Sequence, residues 1–385
     1  MTCLLVLSIS YLLDAHRSKR RRDFIVGGLI GGLAAATKYS ALLLAVPLAA
    51  SYLLNIVDAP DRRKALLDPR LLLFGLPFLA AFAIGVPFLL FDRQRFFAQI
   101  GLLQQSMEMG DQGLDLGLGW IYHVQYSLRY GIGLPMLVAS VIGMGMLLWE
   151  QPRVGLLFLS FPIAYFLVAG SVRNLFFRYA IPLVPFLSVT AARAVTWLAG
   201  KLWALLARDR RSPIRPYARY ALTAALALAV VTPSAVSTYQ FDRIAGNTDN
   251  RVVVARWFDA HVPAGSSVLM SGSKYGYVQF TREKNYNAWL WDRDRLIFVP
   301  DKHPEVGRPE YILLQESPLP SETQPVVTDY LKGDYQLVER FQAFSPDDAR
   351  VYDVQDAFFI PFHGFHGVER PGPNYTLYKR GSSAP

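Results

Sequence analysis

Residues 24–57 read FIVGGLIGGLAAATKYSALLLAVPLAASYLLNIV, and Lys38 carries the one charge among them. As a single helix this stretch would be roughly 50 Å long, well beyond a hydrocarbon core of about 30 Å. It therefore reads as two membrane spans folded at Thr37-Lys38-Tyr39-Ser40. The fold places the Lys38 ammonium at a membrane surface, where water, a phosphate or a carboxylate can meet it. A lysine that snorkels at a helix end without further role fits the same residues.

Working outward, charge-free runs lie at Leu71–Phe91, Tyr130–Trp149, Val154–Val172 and Tyr220–Phe241, and Tyr179–Gly200 is interrupted only by Arg193. With Met1–Leu13 and the two spans around Lys38, the pattern predicts about eight crossings. If they alternate, the segments 14–23, 58–70, 150–153 and 200–219 share one side and hold sixteen Lys and Arg. The other side holds six: Lys38, Arg93, Arg95, Arg129, Arg173 and Arg178. The bias of Lys and Arg toward the cytoplasm puts the first set inside and Lys38, the 92–129 loop, Arg173 and Arg178 outside.

The chain has 385 residues, 52% of them hydrophobic, and a formal net charge of +9. Residues 1–241 carry 23 basic and 11 acidic groups, whereas residues 242–385 carry 16 and 19. The basic excess thus belongs to the membrane loops as a topology signal and argues against nucleic-acid binding. Cys3 is the only cysteine, which excludes a disulfide framework and a cysteine-based metal site.

Residues 242–385 read as a separate water-soluble domain, extracytoplasmic if the last span runs outward. Thr248–Val262 places Val254, Phe258, His261 and Val262 on one helical face, with Thr248 and Asp249 as capping candidates. Pro263-Ala264-Gly265 ends that helix before a strand-like SSVLMSG. Apolar runs at Tyr311–Gln315, Tyr335–Phe344 and Tyr375–Tyr378 then predict a small α/β sheet. The fold class is a multi-pass α-helical membrane domain, 1–241, followed by a small α/β domain, 242–385.

Gly27, Gly28, Gly31 and Gly32 lack the Gly-Lys-Ser/Thr of a phosphate loop; two interleaved GxxxG spacings instead predict close helix packing. His363 and His366 lie three apart in a Pro/Gly-rich loop, a weak case for a metal. Asn374-Tyr375-Thr376 is a formal glycosylation sequon.

In the outward loops, Phe96, Ile100, Leu103 and Met107 follow helical spacing, so this segment is expected to lie along the membrane surface with Gln104 and Gln105 facing water or a polar ligand. Trp120, Tyr122, His123, Tyr126 and Tyr130 gather where the next crossing begins, the depth at which aromatic rings meet lipid headgroups. Arg173 and Arg178 flank Asn174-Leu175-Phe176-Phe177. Two guanidinium groups and Lys38 at one depth suit a phosphate carried by a lipid, although the same residues also fit ordinary capping of helix ends.

The stretch GGLIGGLAAATKYSALLLAVPLAASYLL resembles the Gly-rich helix, Thr-Lys-Tyr corner and Leu-rich helix of bacterial lipid-linked-sugar glycosyltransferases of the GT-C class, the protein mannosyltransferase and aminoarabinose transferase group. VPFLLFDRQRF, WIYHVQYSLRYGIGLPMLVASVIGMG, FFRYAIPLVPFLSVTAARA and DAFFIPFHGFHGVERPGPNYTLYKR are similar to later segments of that family, in order. The resemblance implies transfer of a sugar from a polyprenyl-phosphate donor to a lipid, glycan or protein acceptor on the outer face of the bacterial cytoplasmic membrane, with inversion at the anomeric carbon. Lys38, Arg173 and Arg178 would hold the donor phosphate. Tyr39, Gln105, His123 and Tyr179 would line the cavity, and Asp92 would orient one of the cations.

The family carries an Asp followed closely by Asp or Glu in its first outer loop, and that Asp is the expected base toward the acceptor. This motif is not found here; Asp92, Glu108, Asp111 and Asp115 are the acids of the outward loops, and none is promoted to base. The expectation is an N-terminally truncated chain that transfers no sugar by itself. No cofactor is required by these residues, and a divalent cation could bind between such an acid and the donor phosphate. Two other classes compete: a transporter or flippase for an anionic lipid or solute, and a noncatalytic membrane scaffold. Neither an inverted repeat nor the size of the C-terminal domain favours the transporter.

Overall fold

The computed structural model describes residues 1–66, 68–109, 114–206, 215–302, 307–321, 323–346, 350–356 and 358–381. The chain forms two units, Met1–Ser234 and Ala235–Pro385. The division falls inside a long helix, seven residues before the change in composition at 241/242.

The first unit is helical. Its helices are α1 (Thr2–Ser18), α2 (Arg21–Thr37), α3 (Ala45–Asp58), α4 (Arg70–Gly85), α5 (Arg93–Met109), α6 (Leu134–Glu150), α7 (Pro152–Ser171) and α8 (Val184–Leu206), and α9 (Arg215–Ala245) leads out of it. Among the described residues, five segments are long and apolar enough to cross a membrane: Tyr39–Asp58, Arg62–Gly85, Pro152–Ser171, Phe177–Leu206 and Tyr217–His261. The pair Gly119–Gly131 and Leu134–Glu150, bent by 116°, makes a sixth if counted as one broken span. Helices α1 and α2, with 17 residues each, are at the short limit of a crossing. Of the eight expected crossings, five helices and the bent pair are long and apolar enough among the described residues, and α1 and α2 are not counted with them.

The Gly-rich pattern of α2 acts as packing, as its spacing predicts. A Cβ on Gly28 would strike the Phe74 carbonyl, and one on Gly32 would strike the Phe78 carbonyl and the Ala81 methyl, so these two glycines let α2 and α4 touch backbone to backbone. Gly27 and Gly31 turn instead toward α1, where Ser8 Oγ donates to the Gly27 carbonyl at 2.8 Å. Helix α2 is thereby fixed between two neighbours. Gly143 does for α6 what Gly28 does for α2, lying against the Thr190 backbone of α8.

The second unit is an α/β layer built on a six-stranded sheet. Its strands are β1 (Ser267–Met270), β2 (Asn287–Asp292), β3 (Ile297–Pro300), β4 (Tyr311–Glu316), β5 (Tyr335–Phe341) and β6 (Asn374–Arg380), in the order β3-β2-β1-β4-β6-β5. Strand β1 pairs parallel with β2 and β4, and the outer pairs are antiparallel. Alternation along the strands sends side chains to opposite faces. Val268, Met270, Tyr311, Leu313, Tyr375 and Leu377 pack with Val254, Phe258 and Val262 of α10 (Asn250–His261). Leu269, Ile312 and Leu314 pack with Val327 of α11 (Pro325–Leu331) on the other face.

Asp249 caps α10 as its side chain accepts from the Arg251 N–H at 2.8 Å. His261 departs from the expected buried face: it is exposed and stacks on Trp257 at 4.6 Å. Asn374, the sequon residue, is only 8% exposed. Its side chain accepts from the Ala343 N–H at 2.7 Å and donates to the Phe344 carbonyl at 2.9 Å, so in the folded unit it is a structural amide.

Candidate functional site

The chain breaks at Lys38, as the lone charge in the 24–57 stretch predicts. Helix α2 ends at Thr37, Lys38 itself is extended (φ −157, ψ 124), and a 3-10 segment Tyr39–Leu44 then opens into α3. Two backbone bonds hold the corner: the Lys38 N–H reaches the Ala34 carbonyl at 3.1 Å, and the Ala41 N–H reaches the Lys38 carbonyl at 3.0 Å. One extended residue ends the helical ladder and lets the chain reverse.

A second break repeats the arrangement. The 3-10 segment Phe177–Leu183 opens into α8 with Arg178 and Tyr179 in its first turn. Each of these apolar helices thus opens with a basic residue followed by tyrosine at a tightened turn. The two openings meet: Lys38 Nζ lies over the Tyr179 ring, 5.2 Å from its centroid. A cation on an aromatic face is attracted by the ring's negative quadrupole.

Arg178 is close enough for its charge to act on Lys38. Lys38 lies between helices, outside both, and part of its side chain is exposed. Burial of the remainder, and secondly the Arg178 charge, lower its pKa from the ordinary lysine value. Lys38 forms no ion pair among the described residues. Arg178 in turn covers the Phe176 ring at 4.0 Å. The corner therefore concentrates positive charge on aromatic faces, an arrangement that an anion would stabilise by direct charge-assisted hydrogen bonds.

Beneath the corner lies a group of hydroxyls. Tyr165 of α7, 4% exposed, is within hydrogen-bonding reach of Ser40 and close to Tyr179. Tyr39 points its ring edge-on to Phe82 at 6.3 Å and Phe96 at 6.0 Å, joining the corner to α4 and α5. Tyr165 and Phe176 are not among the residues that the sequence marks as site candidates. Tyr165 sits in a charge-free run that reads as plain span, and its only signal is a hydroxyl in that run.

The other residues singled out in the sequence have contacts of their own, none of them to Lys38 among the described residues. Arg173 is exposed, and its backbone N–H donates to the Met107 carbonyl at 3.1 Å, fixing the loop to the end of α5. Asp92 is half-buried and caps α5: its carboxylate accepts from the Arg95 N–H at 3.1 Å. Gln105 is exposed on α5, the helix expected along the membrane surface. Of the other outward acids, Asp115 accepts from the Gly117 N–H at 2.9 Å in a local turn. Asp111 and the Glu108 side chain lie outside the described part of the molecule.

His123 is buried, 2% exposed, at the start of a π-helical segment His123–Leu128. Its Nδ1 shares a 2.9 Å hydrogen bond with Ser127 Oγ, the Ala169 backbone at the end of α7 faces the ring, and Nε2 has no partner within ordinary hydrogen-bond geometry among the described residues. Next to it Trp120 donates from Nε1 to the Leu167 carbonyl at 3.1 Å and lies against Gly170, where any Cβ would collide with the indole. Tyr122 meets Phe177 edge-on at 5.9 Å. The aromatic loop is thus docked onto α7 and the Arg178 turn.

No group of three or more His, Cys, Asp or Glu that could hold a metal occurs among the described residues. In comparisons with known proteins, the chain matches no family model, no curated protein and no solved structure.

Proposed function

We propose that this chain is a membrane-embedded glycosyltransferase of the GT-C type that binds a polyprenyl-phosphate sugar at the Lys38 corner and needs a base beyond the residues assigned here to transfer it. The observation that carries the reading is the meeting of Lys38 with Tyr179, within reach of the Arg178 charge, at the break between apolar helices. A lipid-borne phosphate could approach such a corner from the bilayer while its chain stays in hydrocarbon. Lys38 and Arg178, with Arg173 from the neighbouring loop, would hold that phosphate.

In the reaction the acceptor hydroxyl attacks the anomeric carbon from the face opposite the phosphate. The glycosidic C–O bond breaks, and its electron pair stays on the phosphate oxygen. Cations fixed beside that oxygen stabilise the charge as it develops. The proton of the acceptor hydroxyl needs a base, a role that no residue of this chain is assigned. The acceptor is a lipid, glycan or protein, and the proposed location is the outer face of a bacterial cytoplasmic membrane with the second unit extracytoplasmic.

A second reading, a transporter of an anionic lipid or solute, draws on the paired basic-Tyr helix openings, since interrupted helices in matching positions mark transporter sites. Binding and flux separate the two. The purified chain in nanodiscs is expected to bind a polyprenyl-phosphate sugar and not the same polyprenyl glycoside without phosphate. Lys38→Gln should weaken binding about tenfold or more, the loss of one charge-assisted contact. Equal binding of the neutral lipid overturns the proposal; phosphate-dependent flux of the donor across a sealed vesicle favours the transporter.

A further inference from the structure

The segment Phe358–His366 hangs on the last turns of α9. Ile244, 1% exposed, packs with Ile360, Phe365 and Val368. The Phe241 and Phe362 rings lie 5.6 Å apart. The loop is built rather than loose: Val351 and His363 form a bridge, and Arg350 donates to the carbonyls of Ser345, Gly364 and His366.

One residue of the loop takes an unusual backbone. Phe359 has φ 54, the left-handed region that a bulky side chain seldom occupies. It is 2% exposed, with Arg251 over its ring at 5.1 Å. The turn at Phe359 sends neighbouring rings apart, and Phe358 is left 53% exposed. The turn thus holds one ring in the core and its neighbour at the surface, and what meets that neighbour depends on the depth of the loop.

The depth of that ring follows from α9. Its apolar run Tyr220–Phe241 has its midpoint near Val230, and Phe241 lies about 16 Å further along the axis at about 1.5 Å per residue. This is about half the thickness of a hydrocarbon core, so Phe241 reaches the edge of the bilayer just before Asp242 and Arg243. Phe362 touches Phe241, and the loop therefore sits at headgroup depth.

We propose that Phe358–His366 is a membrane-seated loop, with Phe358 inserted at the boundary between headgroups and acyl chains. It gives the second unit a lipid contact besides α9. The partner is the bilayer interface itself, where aromatic rings are favoured. This proposal rests on reading α9 as a membrane span, and the test keeps the two apart.

The full chain with Cys3→Ser receives a nitroxide at Phe358→Cys, Leu228→Cys or Lys332→Cys, in nanodiscs of phosphatidylethanolamine and phosphatidylglycerol. Phe358 and Leu228 are exposed, and Lys332 lies at the end of α11 with its side chain in solvent. Collision with oxygen against a water-soluble nickel chelate reports depth. The expected order is 228 deepest, 358 at the interface and 332 in water. A label at 358 as open to the chelate as at 332, with 228 deep, overturns the loop proposal. So does a label shielded from both colliders, which would mean a protein covers Phe358. A label at 228 that is open to the chelate overturns the membrane reading of α9 and the loop proposal with it.

Discussion

The segment Tyr39–Asp58 joins two places that handle positive charge in opposite ways. At its far end Asp58 receives Arg153 of α7 in a two-pronged ion pair, with Nη2 to Oδ1 at 2.7 Å and Nε to Oδ2 at 3.1 Å. Nearby Arg70 pairs with Asp68 at 2.8 Å, and the Lys19 ammonium reaches the Asn55 side chain at 2.5 Å. At its near end Lys38 rests on the Tyr179 ring beside the Arg178 charge. The cations at this far end find carboxylates or an amide. Lys38, held on a ring and facing another cation, has a different arrangement, and we read the difference as room for an anion that arrives from outside the chain.

Both ends sit in the helix packing of the first unit, and the largest effect is expected where α2 meets α4. Gly32→Val places side-chain atoms against the Phe78 backbone, which cannot move away as a side chain would. The expected cost is about 1–3 kcal/mol or more, read as loss of monodisperse protein in detergent size exclusion. An unchanged elution profile would break the packing account.

A smaller effect should carry opposite signs at the two ends. Lys38→Met removes a charge that is partly buried next to another cation, and Tm of the empty protein should rise by about 2 °C. Arg153→Met removes an exposed ion-pair partner, and Tm should fall by less than that. Thermal scans of the two variants in one detergent measure both. Equal changes of the same sign would erase the distinction between the ends.

Much of this architecture is legible in the sequence because its signals are strong. A lysine amid charge-free residues marks the break at Lys38, and GxxxG spacing marks the α2 contact. The α10 face follows from the spacing of Val254, Phe258 and Val262. Other features have weak local signals. Strands β2 and β3 lie in NAWLWDRDRLIFVP, where charges mask the alternation, and α11 is only seven residues long. At the site, the pairing of Lys38 with Tyr179 joins residues far apart in the chain and depends on how two helix openings pack, which no local pattern records. Asp92 stands out in the sequence as an acid in an outward loop, and the structure adds its capping bond from the Arg95 N–H, which the backbone at a helix start favours.

The claim that one anion is shared at the corner is tested most directly by a double-mutant cycle on polyprenyl-phosphate binding, using Lys38→Gln, Arg178→Gln and the pair. If both cations hold the same phosphate, the loss in the double variant should fall short of the sum of the single losses, with a coupling of about 1 kcal/mol or more. Losses that simply add, or singles that bind as the unaltered chain does, would contradict a shared phosphate at Lys38 and Arg178.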